Sequence, residues 1–516
     1  MSFNLATILE EPARTSGSRP LLRLPDRTLN YAQVDREAGR VAAGLLELGL
    51  EPGDRVAVQL PNTAEFVFSY FGVVKAGLVM VPLNPQLTSR EIAYHLGDSG
   101  ARVLITGGKA LNEARHARAE DPALADVSLY TVDDVPGGAA PEPAEPVEGV
   151  VDFGRLLADA PLALSRATDA DDTVILLYTS GTTGRPKGAK LTHSQMYMNC
   201  TVGGELFDVT ERDIMFGVLP LFHVFGLSSV LNIAVRYGAS LVLQEQFDAR
   251  TVIETIESVG VTVFHGVPTM YGALTEAYDG AHDMSTLRTA ISGGAAMPEG
   301  VMRSFEERFN GVAVLEGYGL SETASVASFN ISREERRPLS IGKPIWGTRM
   351  AILDSDDNEL PDGPGNIGEV VVRGHNVMKG YHQNPEATAK AVRDGWFHTG
   401  DLGYRDEDGF FYIVDRLKDL ILRGGYNVYP REIEEVLYSH PDVSEVAVVG
   451  RPDERLGEEV HAFVALTDHQ AVTEEDLKAY CKERLAAYKY PRQIHLMGEI
   501  PKGATGKILK RELPVE

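Results

Sequence analysis

The chain of 516 residues predicts an α/β protein that carries a smaller α+β domain at its C-terminal end. Three observations lead there. Short β-branched runs alternate with helical patterns through the first three-quarters of the sequence. From about residue 341 the texture becomes apolar–polar alternation around turns, and after DRLKD (415–419) it changes again. The first pattern implies parallel sheets covered by helices, and the second implies antiparallel strands. The length exceeds a single typical core, so about two to four domains are expected.

The elements follow in order. RVAVQL (55–60), ARVLIT (101–106), TVILLY (173–178), VTVFHG (261–266), LRTAIS (287–292) and VAVLEG (312–317) are short enough and apolar enough for buried strands. Between them lie helical stretches such as Tyr31 to Leu48, closed by Gly49. FVFSYFGVVKAGLVMVPL (66–83) approaches the length of a membrane span, but Gly72, Lys75, Gly77 and Pro82 interrupt it. A buried helix followed by a strand fits it better. PGGAAPEPAEPVEG (136–149) reads as an exposed loop. MAILDSDDNELPDGPGNIGEVVVRG (350–374) reads as antiparallel strands. PREIEEVLYSH (430–440) opens a helix at Pro430, Val446–Val449 and Val460–Leu466 read as strands, and TEEDLKAYCKERL (473–485) is a helix with Thr473 as N-cap. The expected division is residues 1–415 and 416–516, joined near Lys418.

Composition narrows the function. A hydrophobic share of 43% and a charged share of 24% are those of a soluble globular protein. The formal charge of −25 argues against a nucleic-acid partner, which needs basic surface to replace counterions. Cys200 and Cys481, far apart, form neither a metal spacing nor a disulfide framework, which suits a reducing compartment. The N-terminal MSFNLATILEEPARTSG lacks the basic start and apolar core of a signal peptide. A cytoplasmic, soluble protein without a transmembrane segment is expected.

The chemistry concentrates in YTSGTTGRPKG (178–188). Directly after a short apolar strand come the hydroxyls of Thr179, Ser180, Thr182 and Thr183, the glycines Gly181 and Gly184, and the cations Arg185 and Lys187. Glycines let the backbone approach a ligand, and hydroxyls, amides and cations suit anionic oxygens, so the segment has the makings of a polyphosphate cradle. It is not G-x-x-x-x-G-K-[ST], and Pro186 forbids continuing into a helix, so a kinase-type loop is excluded. Four more stretches accompany it: GYGLSET (317–323), WFHTGDLG (396–403), VDRLKDLILRGGYNVYP (414–430) and GATGKILKREL (503–513).

In this order the five stretches resemble the adenylate-forming superfamily of acyl-CoA synthetases, peptide-synthetase adenylation domains and luciferases, from about Leu29 to Leu513. Asp401 alone would be a turn residue, Lys507 a surface cation and Tyr318 a core ring; their joint occurrence in order reverses those readings. The resemblance implies a large N-terminal domain of two α/β subdomains plus a β-barrel, followed by a small mobile α+β domain. It implies ATP, Mg²⁺ and coenzyme A as the small molecules used. Thr179, Ser180, Gly181, Thr182, Thr183, Gly184 and Lys187 match the loop around the β- and γ-phosphates. Tyr318 matches the ring that stacks on adenine, bordered by Gly293, Gly294 and Ala295, with Gly317 and Gly319 beside it. Ser321 falls near the α-phosphate. Glu322, with Thr179, matches the Mg²⁺ position, in keeping with the preference of that ion for hard oxygen ligands. Asp401 matches the ribose-diol acceptor, and Arg416 lies beside it. Lys507 matches the lysine bridging carboxylate and α-phosphate, and counts with His223, Ser321 and Glu322 among the catalytic candidates. Lys418 matches a hinge about which the small domain exchanges the Lys507 loop for the loop Arg423–Asn427, with Gly424 and Gly425 at its turn.

The resemblance also bears on substrates. His223 stands where amino-acid-adenylating relatives carry an Asp, and Gly317 where malonate-activating relatives carry an Arg. Phe222, Phe225, Val267, Met270, Tyr271, Gly293 and Gly319 would line an apolar pocket. A hydrophobic monocarboxylate follows, a medium- or long-chain fatty acid first and an aryl or polycyclic acid second. NPEATAKAVRDGWFHTGD (384–401) lacks the insertion of relatives that load carrier proteins. That favours coenzyme A as acceptor, with an acyl carrier protein and a homodimeric state left open.

Overall fold

The computed structural model describes residues 2–132, 149–179, 185–453, 455–467 and 472–514. Ser180, Gly181, Thr182, Thr183 and Gly184 lie outside the described residues, as does nearly all of the expected 136–149 loop.

Two large sheets carry the N-terminal three-quarters. One has seven described strands in the order Val150–Asp152, Ser128–Val132, Ala101–Gly107, Arg55–Gln59, Val79–Pro82, Thr173–Thr179 and Lys187–Thr192. Its pairs are parallel except the last, in which Thr179 faces Lys187 across an antiparallel ladder. The other has nine, with a parallel centre of Val314–Tyr318, Thr289–Ser292, Val263–Gly266, Ile214–Gly217, Ser240–Leu243 and Pro20–Arg23. Parallel strands buried on both faces explain why these runs are apolar throughout rather than alternating.

The helices form where caps and periodicity direct them. Tyr31–Glu47 starts from an Asn30–Gln33 capping box. It ends with Gly49 at φ +76°, whose N–H donates to Leu46 O while that of Leu50 donates to Leu45 O. Only a residue free to adopt positive φ closes a helix this way. The apolar tract 66–83 is the buried helix Ala64–Lys75 followed by the strand Val79–Pro82. Lys75, fully buried in that tract, is held by Asp35 at 2.6 Å and Glu10 at 3.2 Å. Among the described residues no helix is long and apolar enough to cross a membrane.

A five-stranded antiparallel sheet follows, built on Thr348–Leu353, Gly368–Gly374, Trp396–Arg405 and Phe411–Arg416. Ile341 N–H donates to Phe411 O and Phe411 N–H to Gly342 O, curling the entry to the first strand back onto the last. Ile341, Met350, Ile352, Val370, Val372 and Phe411 fill the inside. The C-terminal unit is α+β. Val443–Asp453 and Gly457–Leu466 form a long antiparallel pair, flanked by the hairpin Ile421–Arg423/Tyr426–Val428 and the parallel strand Gln493–Met497. The helices Pro430–Tyr438 and Glu474–Arg484 cover it, the second from a Thr473 capping box.

Candidate active site

The candidate residues gather beyond the carboxyl ends of the parallel strands, where open α/β sheets present ligand sites. Tyr318 ends the strand Val314–Tyr318. Its hydroxyl donates to Asp401 Oδ2 at 2.5 Å, and Arg416 Nε approaches Asp401 Oδ1 at 3.2 Å. Asp401 and Arg416 face each other directly across antiparallel strands, so sheet register fixes the pair. Asp401 is 3% exposed. Burial first, then the adjacent Asp401 carboxylate, hold the Tyr318 phenol protonated far above its ordinary range. The result is an aromatic ring, a buried acceptor and a guanidinium in one rigid group.

The turn after Tyr318 allows only one residue type at Gly319. A Cβ there would overlap the Ser325 carbonyl oxygen. The chain folds back tightly through Ala324 at φ 54° and Ser325 at φ 112°, conformations that L residues rarely adopt. Ser325 is pinned by its N–H to Leu320 O at 3.3 Å and by its hydroxyl at 2.7 Å from that of Ser229. Ser321 and Glu322 lie in the short helical turn Ser321–Thr323 inside this loop. Glu322 accepts the Tyr381 hydroxyl at 2.9 Å, and the Lys187 ammonium lies 5.4 Å from the centre of the Tyr381 ring. Tyr381 therefore stands between Lys187, the candidate phosphate-loop lysine, and the candidate magnesium carboxylate. Tyr381 is not legible as a site residue in the sequence, where it is only a tyrosine shortly before NPE.

Gly293, Gly294 and Ala295 follow the neighbouring strand. Gly294 needs its φ of +80°, and it and Ala295 are exposed while Gly293 is buried. A Cβ on Gly293 would sit 3.2 Å from the Phe225 ring and 3.6 Å from Gly317 O, so this turn borders the acid-side residues.

Lys507 comes from the other domain. Gly503 N–H donates to Lys507 O and Gly506 N–H to Gly503 O, both at 2.9 Å, which makes the loop compact. It docks on the N-terminal domain through the Thr269 hydroxyl, which donates to Gly506 O at 3.0 Å. A Cβ on Gly506 (φ +74°) would come within 2.9 Å of Val267. Thr269 was not legible as a site residue, because its role depends on this docking. Lys507 remains open to solvent in a cleft crowded with protein. That crowding first, then the Arg416 charge, lower its ammonium to about 8, while Asp401 pulls the other way. His223 lies close enough to feel the charge of the same lysine. Burial, then Lys507, push its imidazole down to about 4, so it is neutral near pH 7. Its Nδ1 accepts from Phe225 N–H at 3.3 Å, which leaves the proton on Nε2 as a donor.

Three positions bear on the expectations. Tyr271 does not line a pocket: it is fully buried, its hydroxyl donates to Ile291 O at 2.7 Å, and its ring packs edge-on against Phe264 and Phe305. A Cβ on Gly317 would overlap the Phe329 ring, so an arginine there would have to displace a core aromatic before reaching any ligand. Gly424 (φ 57°) and Gly425 (φ 84°) form the two-residue turn of the C-terminal hairpin, with positive φ at both positions as a type I′ turn requires. They stay with that hairpin, where Gly424 N–H donates to Leu456 O at 2.7 Å.

The crossover between domains is sharply marked. Arg416 still belongs to the five-stranded sheet, and Leu417 N–H donates to Gly400 O at 2.9 Å. Ile421 already belongs to the C-terminal sheet, and Lys418, exposed, lies between.

The Tyr318–Asp401–Arg416 group with Lys507 beside it, and Lys187 at Tyr381, make the arrangement expected of an adenylate-forming enzyme. Comparison with known proteins places the chain accordingly. Residues 9–382 match the AMP-binding enzyme family and residues 432–507 its C-terminal domain. The chain is 37% identical to a long-chain-fatty-acid–CoA ligase of Bacillus subtilis (strain 168), over 99% of this chain and 94% of that one. It is 38% identical to a feruloyl-CoA synthase of Amycolatopsis sp, over 97% and 96%. Among solved structures, the anthranilate CoA ligase AuaEII in complex with anthranoyl-AMP superposes with a TM-score of 0.89 at 31% identity, covering 98% of this chain and 96% of that one. The chain belongs to the AMP-binding enzyme family of adenylate-forming acid–thiol ligases, whose chemistry uses ATP, Mg²⁺ and coenzyme A. Among the described residues no cluster of three or more His, Cys, Asp or Glu could hold a metal. A magnesium at Glu322, with Thr179 as the other candidate ligand, would keep phosphate oxygens and water around it, as that ion prefers.

Proposed function

We propose that this chain converts a hydrophobic monocarboxylic acid, a medium- or long-chain fatty acid first, into its acyl-CoA by way of an acyl-adenylate. The observation that carries the reading is that the docked Lys507 loop brings its ammonium near enough to feel the charges of Arg416 and Asp401 and to be felt by the His223 imidazole. A cation there stands between an acid carboxylate held by His223 Nε2–H and the α-phosphate of a nucleotide whose ribose Asp401 would hold. It stabilises charge that builds as the carboxylate oxygen attacks phosphorus and pyrophosphate leaves, which is electrostatic catalysis. Lys187, Thr179 and the loop 180–184 would take the pyrophosphate, with Ser321 near the α-phosphate and Glu322 at the magnesium.

The acid-side candidates Phe222, Phe225, Val267 and Met270 are uncharged, which suits an apolar acyl group. The resemblance to a feruloyl-CoA synthase keeps an aryl or polycyclic acid as the second reading. For the acceptor, Pro385–Ala391 is a single short helix leading through Val392–Arg393 directly to the strand Trp396–Arg405. That compactness supports coenzyme A over a carrier protein. The small domain would turn about Lys418 between the two half-reactions, a two-state rotation of a familiar kind. A pyrophosphate-release screen over acids of graded length, with and without coenzyme A, tests the proposal. Acid-dependent AMP and pyrophosphate, rising with apolar chain length, are expected; ADP as the main product would refute it.

A further inference from the structure

His265 lies one aromatic layer beneath the acid-side residues and has no bonding partner for either ring nitrogen among the described residues. It is fully buried in the strand Val263–Gly266, at the centre of the nine-stranded sheet. Phe207 and Phe225 stand edge-on to it, with ring centres 6.1 and 6.0 Å away, and Phe329 packs in turn on Phe207 at 4.7 Å. Burial lowers its imidazole to about 3, so near neutral pH the ring is uncharged, with one donor and one acceptor. A sheet centre made of valine, phenylalanine and isoleucine has no structural use for either group. Leaving both unpaired is costly, and native interiors do so rarely.

The position of the ring shows what could use it. Phe225, which covers it, is only half buried, follows two residues after His223 and touches the Gly293 turn. Phe225 also opens the segment Phe225–Asn232, wound as a π-helix, a form found in short pieces and often at functional sites. Lys507, His223, Phe225 and His265 thus form a series from the cleft where the carboxylate would react into the protein interior.

We propose that His265 is the polar end of the acid site and Phe225 its movable cover. The acid then carries a hydrogen-bonding oxygen, a hydroxyl or a carbonyl, at the end remote from its carboxylate. This rests on the reading of His223 and Phe225 as acid-side residues. A rotation of the Phe225 side chain would let the distal oxygen reach an imidazole that can donate to a carbonyl or accept from a hydroxyl. An acid ending in a plain methyl or phenyl group would leave the imidazole unpaired, and sites built to pair a substrate hydroxyl discriminate strongly against analogues that lack it.

The test uses two matched pairs, cinnamic against para-hydroxycinnamic acid and dodecanoic against ω-hydroxydodecanoic acid. Acid-dependent pyrophosphate release by the full-length wild type, H265L and H265Q is measured as kcat/KM. The wild type is expected to favour the oxygenated member of at least one pair by about tenfold or more. H265L should bring that ratio to about one, and H265Q, which keeps a donor and an acceptor, should retain part of it. A wild type that favours the plain member of both pairs overturns the proposal, whether or not H265L folds. So does a preference that survives H265L unchanged. If neither pair supports pyrophosphate release while a short hydrophilic acid does, the hydrophobic-acid reading itself fails, and the proposal with it.

Discussion

The two halves of the candidate site are built differently. The nucleotide side is set by the fold: Asp401 and Arg416 are opposed by sheet register, Tyr318 ends a parallel strand, and Gly319 is forced by the Ser325 carbonyl. The lysine side is delivered: Lys507 sits on a loop of another domain, and that loop is tethered by the Thr269 hydroxyl on Gly506 O. In the proposed two-step reaction the nucleotide would stay bound while the lysine loop leaves, which asks for rigidity on one side only. Loss of the delivered part should therefore affect one half-reaction, and loss of the fixed part should affect nucleotide binding.

Lys507→Ala should sharpen that distinction most. Removing one charge-stabilising group typically costs about 10²–10³ in rate. Adenylation, followed by pyrophosphate exchange, should fall by that factor, while thioester formation from a supplied acyl-adenylate stays within a few-fold of wild type. Equal losses in both would show that Lys507 serves both half-reactions. Asp401→Ala strands the Tyr318 hydroxyl and Arg416. Hydrogen bonds to charged groups contribute about 1.5–3 kcal/mol, so kcat/KM for ATP should drop about 10–100-fold; an unchanged value would remove Asp401 from the nucleotide site.

Lys418→Pro addresses the crossover itself. Proline fixes φ near −65°, so a hinge there would be locked in whichever domain arrangement tolerates that angle. Pyrophosphate exchange should survive and thioester formation should fall, at an unchanged melting temperature; two normal half-reactions in a folded variant would relocate the hinge. The smallest effect is on pH dependence. Lys507 must be an ammonium to stabilise transferring phosphate, and the crowded cleft lowers it to about 8. The kcat/KM for adenylation should therefore be full below that value and decline as pH rises through about 8. Lys507→Arg, always charged, should abolish that limb if the lysine causes it.

Much of this was legible in the sequence, and the reason is local. Tyr318, Glu322, Asp401 and Arg416 sit in short stretches whose glycines and hydroxyls have few other uses, and sheet register brought Asp401 onto Arg416. The apolar runs marked the parallel strands because burial on both faces removes the alternation. What stayed hidden depended on distant partners. Tyr381 matters only because Glu322 and Lys187 meet it, and Tyr271 reads as pocket lining until its hydroxyl is found on Ile291 O. His265 reads as one more residue of a buried strand until both nitrogens prove unpartnered.

The tether between Thr269 and Gly506 also makes two tasks share one wall. Val267, which a side chain at Gly506 would strike, and Met270, whose methyl lies 4.0 Å from that same Cβ position, belong to the segment proposed to hold the acyl group. Whatever an acid does to that segment it does to the seat of the lysine loop. An acyl group that pushes Val267 or Met270 outward would lift Lys507 away from the reacting atoms, whereas one that leaves the segment in place would let it engage. If the acyl group lies where proposed, the fit of the acid would then be felt at Gly506 before the nucleotide reacts.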